Sequence, residues 1–243
     1  MTRKVALITG GSRGIGAAIA RQLAEQGFDI AISFARNKAK ADEVAEQITK
    51  LGRKVALIQA DGSTVEGNQL VIKETVKQLG RLDALVCNAG IGNHKPITEV
   101  TSEDINAVLN LNLRGMMIET SEAVKVMGEG GRIVLMGSAF AGRVPFGGLS
   151  VYAATKAGLR GFAQGVARDL GKKGITINVL EPGPIDTDLN PADTEDAKYL
   201  SSFVATGAYG HVSDIANAVG FLVSEQAGYI TGIAMPVDGG LLA

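Results

Sequence analysis

Short apolar runs alternate along the chain with longer segments whose apolar positions recur at helical spacing. The runs are KVALIT (4–9), DIAISF (29–34), KVALIQA (54–60), ALVCN (84–88), RIVLMG (132–137), ITINVL (175–180) and IAMPV (233–237). They are rich in Val and Ile and nearly continuous in apolar character, as strands are when both faces of a sheet are covered. Helical patterning occupies 14–26, 38–51, 65–79, 102–127, 151–171 and 213–224. Strands alternating with helices build a parallel sheet with right-handed crossovers and helices on both faces. The segment 186–210 is the least regular, and its length suits a substrate lid with short helices inside it. No repeat or linker divides the chain, so residues 1–243 are expected to form a single α/β domain.

Composition narrows the class. At 243 residues and 46% hydrophobic content the chain can bury one large core. A formal net charge of -1 and the lack of long like-charge blocks give no field favouring nucleic acid or a membrane surface. Aromatic residues make up 5% and Trp is missing, which argues against a stacking platform for bases or sugars. The one cysteine, Cys87, excludes an internal disulfide and fits a reducing compartment. We read it as a small buried apolar filler. The apolar run in TRKVALITGG is too short for a signal peptide or a membrane span, so a cytoplasmic protein is expected.

Two local patterns carry chemistry. The first strand leads into TGGSRGIG, with Gly10, Gly14 and Gly16 in a G-x-x-x-G-x-G arrangement. Glycines there let backbone N–H groups approach a pyrophosphate at the positive end of a helix. The stretch SVYAATKAG places Tyr152 and Lys156 one helical turn apart, on one face. A free phenol titrates near about 10, and a neighbouring ammonium stabilises its anion. Ser138 closes RIVLMGS at the carboxyl edge of the sheet, where ligands of such sheets bind. Each pattern also has an ordinary reading: a turn glycine, an exposed Tyr–Lys pair, a serine opening a turn, and Asn112 as a surface residue with Asn110 as its rival.

Taken together, TGGSRGIG, CNAG (87–90), NLRG (112–115), GS (137–138), YAATK (152–156), PGPIDT (182–187) and DGG (238–240) resemble the short-chain dehydrogenase/reductase family, in order and over the whole chain. The resemblance implies a Rossmann-type doubly wound sheet of seven parallel strands, ordered 3-2-1-4-5-6-7, with a nicotinamide cofactor across the switch between strands one and four. It implies cofactor contacts from the turn residues Gly10, Ser12, Arg13, Gly14, Ile15 and Gly16. Asp61 would meet the adenine, and Asn88, Ala89 and Gly90 the adenosine ribose side. Pro182, Gly183, Ile185 and Thr187 would hold the nicotinamide end. The family pattern puts the cofactor-selecting position at Phe34, where no acid stands. Arg13 and Arg36 would instead pair with a 2′-phosphate, so NADP(H) is expected.

The same resemblance implies a catalytic set of Asn112, Ser138, Tyr152 and Lys156. Tyr152 would exchange the proton, Lys156 would also hold the nicotinamide ribose, Ser138 would bond the substrate oxygen, and Asn112 would order water behind Lys156. No metal is expected, since neither His94 nor His211 has a ligand companion at suitable spacing. The expected reaction is reversible reduction of a ketone or oxo group to a secondary alcohol. Within the family the pattern is similar to bacterial 3-oxoacyl-(acyl-carrier-protein) reductases. Glu129, with only Lys172 and Lys173 further on, offers an acidic carrier protein little attraction. A small free carbonyl compound is therefore favoured, with the carrier-bound substrate, sugar or polyol oxidation, and nucleotide sensing as alternatives. Phe140, Val144 and Phe146 could form one wall of the substrate site, and Leu189, Tyr199, Leu200, Phe203 and Val204 its lid. Ala153, Ala157, Gly161 and Gly165 form a stripe of small residues that permits close approach to the sheet or to another subunit. By resemblance this helix belongs to a dimer face of a homotetramer.

Overall fold

The computed structural model describes residues 3–92 and 94–243. One sheet carries seven parallel strands: β1 (Val5–Ile8), β2 (Asp29–Phe34), β3 (Val55–Gln59), β4 (Ala84–Cys87), β5 (Arg132–Met136), β6 (Thr176–Pro182) and β7 (Ala234–Val237). Their spatial order is 3-2-1-4-5-6-7, as the resemblance implied. The helices are α1 (Gly14–Glu25), α2 (Lys38–Lys50), α3 (Val65–Leu79), α4 (Ser102–Leu109), α5 (Met116–Val126), α6 (Ser150–Leu170), α7 (Glu195–Ser201) and α8 (Val212–Leu222). Among the described residues no helix is long and apolar enough to cross a membrane.

Alternation along the strands divides the core between the two faces of the sheet. Ala6 and Ile8 point to the face shared with Ile19 and Leu23 of α1 and Ile215 and Val219 of α8. Leu7 points the other way, among Val71 of α3, Met116 of α5 and Leu159 of α6. Because both faces are covered, β1, β2, β4, β5 and β6 are buried throughout, which explains their unbroken apolar runs. β7 lies at the edge and stays partly exposed.

Side chains define several helix starts. Thr64 caps α3 by accepting from Gly67 N at 3.0 Å, and Gly80 ends the helix with φ 86°. Thr101 and Asp104 form a reciprocal capping box on α4. His211 caps α8, accepting from Ser213 N at 3.3 Å, so its role is structural.

The pattern expected as one helix over 102–127 is three pieces. Between α4 and α5 the backbone opens into a π-helical stretch, Asn110–Gly115. The wider turn carries Asn112 inward and buries it completely. Its Oδ1 accepts from Ile91 N at 2.9 Å and its Nδ2 donates to Ile91 O at 2.8 Å, so the amide pairs with the loop after β4 as a strand would. Gly115 is required at the end of this stretch. A Cβ there would stand 2.6 Å from Gly62 O and 3.0 Å from Asn110 O.

Candidate active site

A groove of about 1040 Å³ runs along the carboxyl end of the sheet, past the switch between β1 and β4. Its size suits a dinucleotide with a small second molecule beside it. The turn after β1 forms the floor. Gly10 and Gly14 have φ of 65° and 53°, which side-chain-bearing residues rarely adopt. A Cβ on Gly16 would lie 2.5 Å from Gly10 O and 2.6 Å from Asn88 Nδ2. Asn88 in turn donates to Thr9 O at 3.0 Å and Gly10 O at 3.1 Å, pinning this turn to the end of β4. The start of α1 has no side-chain cap and no acid in its first turn. Its N–H groups and dipole therefore face the groove unsatisfied by side chains, a fit for a diphosphate.

The end beyond β2 is lined by Phe34, Arg36 and Asp61, with Arg13 arriving from the glycine turn. No carboxylate stands at the tip of β2, and Phe34 is buried. Asp61 Oδ1 accepts from Ser63 N at 2.9 Å and Ser63 Oγ at 2.7 Å. These bonds, helped by Arg36, hold its carboxyl below the usual range. Lys40 of α2 forms an ion pair at 2.9 Å with Asp188, in the segment after β6, and Arg13 acts on the same carboxylate. The sequence gives no local sign of that bridge, because its partners lie on separate elements.

At the other end Ser138, Tyr152 and Lys156 line the groove. Asn112 lies just behind them. A Cβ on Gly90 would be 3.3 Å from Asn112 Oδ1 and 3.7 Å from Lys156 Nζ, so the amide, the glycine and the ammonium meet at one place. Asn110 also borders the groove, but Asn112 is the buried, doubly bonded amide. Ser138 Oγ accepts from Phe140 N at 3.2 Å, holding the chain as it leaves β5. Pro182, Gly183, Ile185 and Thr187 border the same groove. A Cβ on Gly183 would lie 2.6 Å from Asp238 Cα, so the PGP turn packs directly on the DGG segment. All the cofactor-site residues expected from the sequence border this single groove.

The electrostatics differ from the simple expectation of an ammonium acidifying a phenol. Lys156 is 3% exposed, donates from Nζ to Met136 O at 2.7 Å, and stands 5.7 Å from the centroid of the Tyr152 ring. Burial brings its amine down to about 8. Burial likewise raises the Tyr152 phenol above its usual value, and a hydrogen bond with Ser138 works against that rise. The ammonium faces a carbonyl and the ring, so desolvation governs the phenol of the free protein.

Apolar side chains also line the groove. Phe140 and Phe146 meet edge to face with centroids 5.5 Å apart. Leu189 and Leu200 come from the segment after β6, and Ile91 and Leu149, which sequence reading missed, complete the lining. Val144, Tyr199, Phe203 and Val204, expected in the walls, do not border the groove. Tyr199 and Phe203 meet each other edge to face, centroids 5.1 Å apart, and Val204 is buried with Ala139 and Leu241. His94 reaches the rim. On α6, Ala153 is buried, whereas Ala157, Gly161 and Gly165 are exposed, and a Cβ on either glycine would meet open space. The outer part of the small-residue stripe therefore faces away from the sheet.

Comparison with known proteins gives one consistent answer. A family model described as enoyl-(acyl carrier protein) reductase matches residues 10–242. A cyclic-di-GMP-binding biofilm dispersal mediator protein of Escherichia coli is 39% identical, with 98% of this chain and 97% of that protein covered. A 3-oxoacyl-(acyl-carrier-protein) reductase of Staphylococcus aureus is 38% identical, with 98% of each covered. The crystal structure of a Burkholderia cenocepacia short chain dehydrogenase in complex with NADP has a TM-score of 0.97 and 44% identity, covering 99% of this chain and 98% of that one. With the sheet order, the glycine turn and the Ser138–Tyr152–Lys156 cluster in place, these similarities show that the chain belongs to the short-chain dehydrogenase/reductase family.

Proposed function

We propose that the protein is an NADP(H)-dependent oxidoreductase that interconverts a ketone and a secondary alcohol, with Tyr152 as the proton donor. The observation that carries the proposal is one groove with an uncapped helix start and two arginines at one end and Ser138, Tyr152 and Lys156 at the other. NADPH, when bound, supplies the hydride to the carbonyl carbon. Arg13 and Arg36 would pair with its 2′-phosphate, the N-terminus of α1 with its diphosphate, and Lys156 with its ribose hydroxyls. Ile185 and Thr187 would flank its carboxamide.

Ser138 holds the substrate oxygen by hydrogen bonding. As the carbon–oxygen double bond becomes single, the phenol proton of Tyr152 passes to that oxygen, and the resulting phenolate recovers a proton from solvent. A phenol held above its usual value is fully protonated near neutrality, which suits the reducing direction. Lys156 stabilises the transient phenolate, and Asn112 orders the polar path behind it. In the reverse direction the same groups receive the proton of an alcohol.

The apolar side chains along the groove favour a neutral, apolar ketone. Ile91, Phe140, Phe146, Leu149, Leu189 and Leu200 offer no partner for a charged substituent. The S. aureus relative favours a carrier-bound 3-oxoacyl thioester as a second reading. Exposed Glu129, beside Gly130 whose N–H donates to Lys173 O, gives an acidic carrier protein weak attraction. The E. coli relative raises nucleotide sensing as a third. Sugar or polyol oxidation would use the same groups in reverse. The exposed small-residue face of α6 would join copies of the chain into a homo-oligomer, a tetramer in our reading, working in the cytoplasm.

The deciding assay follows NADPH absorbance with free ketones, a carrier-bound 3-oxoacyl thioester and polyols. Turnover of free apolar ketones that is lost in Tyr152→Phe supports the proposal. Turnover of the thioester alone selects the second reading. Tight nucleotide binding without turnover of any carbonyl or alcohol selects the third.

A further inference from the structure

One ionisable side chain in the groove takes no part in the reaction above. Glu119, in the first turn of α5, is 3% exposed and borders the groove floor. Thr9 Oγ1 donates to its Oε2 over 3.4 Å, and the Cys87 thiol donates to the same carboxyl. Among the described residues these are its hydrogen-bonding partners, and no cation pairs with it. Thr9 Oγ1 also accepts from Asn88 N at 3.1 Å and Ala89 N at 3.3 Å. The carboxyl is thus set against the junction of the β1 and β4 ends that borders the dinucleotide groove.

NADP(H) is strongly anionic through its diphosphate and 2′-phosphate. A carboxylate in the same low-dielectric cavity, with no counter-charge, repels such a ligand. A neutral carboxyl does not. We propose that the groove takes NADP(H) with Glu119 protonated, so that cofactor binding is coupled to proton uptake at this side chain. The inference rests on the assignment of the groove to NADP(H).

The surroundings set its direction and range. From β1 the carboxyl meets a hydroxyl, Thr9, and from β4 a thiol, Cys87, whose own proton is held firmly by burial and by Glu119. α3 packs against α5 with Asn68, Val71, Ile72 and Thr75 buried, none of them charged. From α6, Lys156 acts on Cys87. Arg13, Arg36, Asp61 and Asp188 border the groove further along. Burial pushes the Glu119 carboxyl up to about 7 in the free protein. Below that value the carboxyl is neutral and above it charged, so affinity for NADP(H) falls as pH rises through neutrality. Loss of the Lys156 charge near 8 weakens binding in the same direction, and a second protein without Glu119 separates the two.

The test is NADPH fluorescence titration of the full chain from about pH 6 to 8.5, in wild type and in Glu119→Gln, which copies the neutral form. The wild-type dissociation constant should rise by about fivefold or more across that range. In Glu119→Gln the rise should shrink to the part above about pH 8, with affinity throughout at least equal to wild type at pH 6. Calorimetry at about pH 6.5, where Lys156 is already cationic, in two buffers of different ionisation heat should show proton uptake on NADPH binding in wild type only. Should Glu119→Gln fail to fold, Glu119→Leu serves, and wild-type calorimetry stands without either. Equal pH dependence in wild type and variant, or no proton uptake by wild type, overturns the inference while leaving the NADP(H) assignment intact. If wild type binds no NADPH at any pH, the cofactor assignment itself falls, and this inference with it.

Discussion

Arg160 and Glu181 form a two-pronged ion pair between α6 and the end of β6, Nε to Oε1 at 2.6 Å and Nη2 to Oε2 at 2.7 Å. Arg160 stands one turn beyond Lys156 and two beyond Tyr152, on the same helix face. Glu181, fully buried, immediately precedes Pro182 of the turn that borders the groove. The pair therefore fixes the proton-transfer helix relative to the proposed nicotinamide turn, with the directionality of a bidentate guanidinium–carboxylate contact. Arg160→Met leaves a buried carboxylate without its partner and should cost about 3–5 kcal/mol of stability. Arg160→Met with Glu181→Leu should recover most of that loss. Urea unfolding of both variants measures it; a single-variant loss under about 1 kcal/mol would mean the pair behaves like a surface contact.

Tyr152→Phe keeps the ring and removes the proton. Carbonyl reduction should fall by about 10²–10⁴-fold, the usual share of general acid catalysis. NADPH affinity should change little, because the ring and Lys156 remain. Steady-state rates beside fluorescence titration separate the two effects. A variant with undiminished turnover would remove Tyr152 from the mechanism.

Much of this was legible in the chain. Strands covered on both faces leave continuous apolar runs, so β1, β2, β4, β5 and β6 were visible directly. The glycine turn and the Tyr152–Lys156 spacing are local patterns, readable because turn geometry and helix periodicity act over a few residues. Contacts between distant elements left no such mark. Lys40 finds Asp188, Arg160 finds Glu181, and Glu119 finds Thr9 only after the sheet is assembled. Helical spacing placed Lys156 beside Tyr152 but did not reveal that its ammonium donates to Met136 O. The π-helical stretch at Asn110–Gly115 escaped because a locally widened turn barely disturbs the apolar period that marks a helix.

Cofactor choice should depend on Arg13 and Arg36, which border a groove end with no carboxylate at the tip of β2. Replacing Arg36 by Ala should weaken NADPH by about tenfold or more, the worth of a charge-assisted hydrogen bond, and leave NADH nearly unchanged. Arg13→Ala should act in the same sense. Lys40→Gln, which frees Asp188 beside Arg13, should weaken NADPH less than either. Catalytic efficiencies with both cofactors check this. An equal loss for NADPH and NADH would mean that the arginines do not meet the 2′-phosphate.

Lys156 should titrate well below the ordinary value of a lysine amine. Burial brings its amine to about 8, so it is cationic below that value and neutral above. NMR titration of lysine side chains should show an amine with a midpoint near 8, and Lys156→Met should remove it. If no amine lost in Lys156→Met titrates near 8, the ammonium is better solvated than its burial implies.

Glu119 should leave a signature in stability independent of any ligand. Its carboxyl titrates at about 7 when folded and near its ordinary 4.5 when unfolded. Below the unfolded value both states hold the proton, and no penalty arises. As pH rises from there to the folded value, the unfolded chain releases its proton first and the fold loses stability; above the folded value the penalty is complete. Its size is roughly 3 kcal/mol. Glu119→Gln should therefore match wild type at about pH 4 and exceed it by roughly 2–3 kcal/mol at about pH 8, read from urea midpoints across the range. A difference that stays constant with pH would show that the carboxyl titrates in the fold as it does in the unfolded chain, so that burial imposes no penalty on its charge.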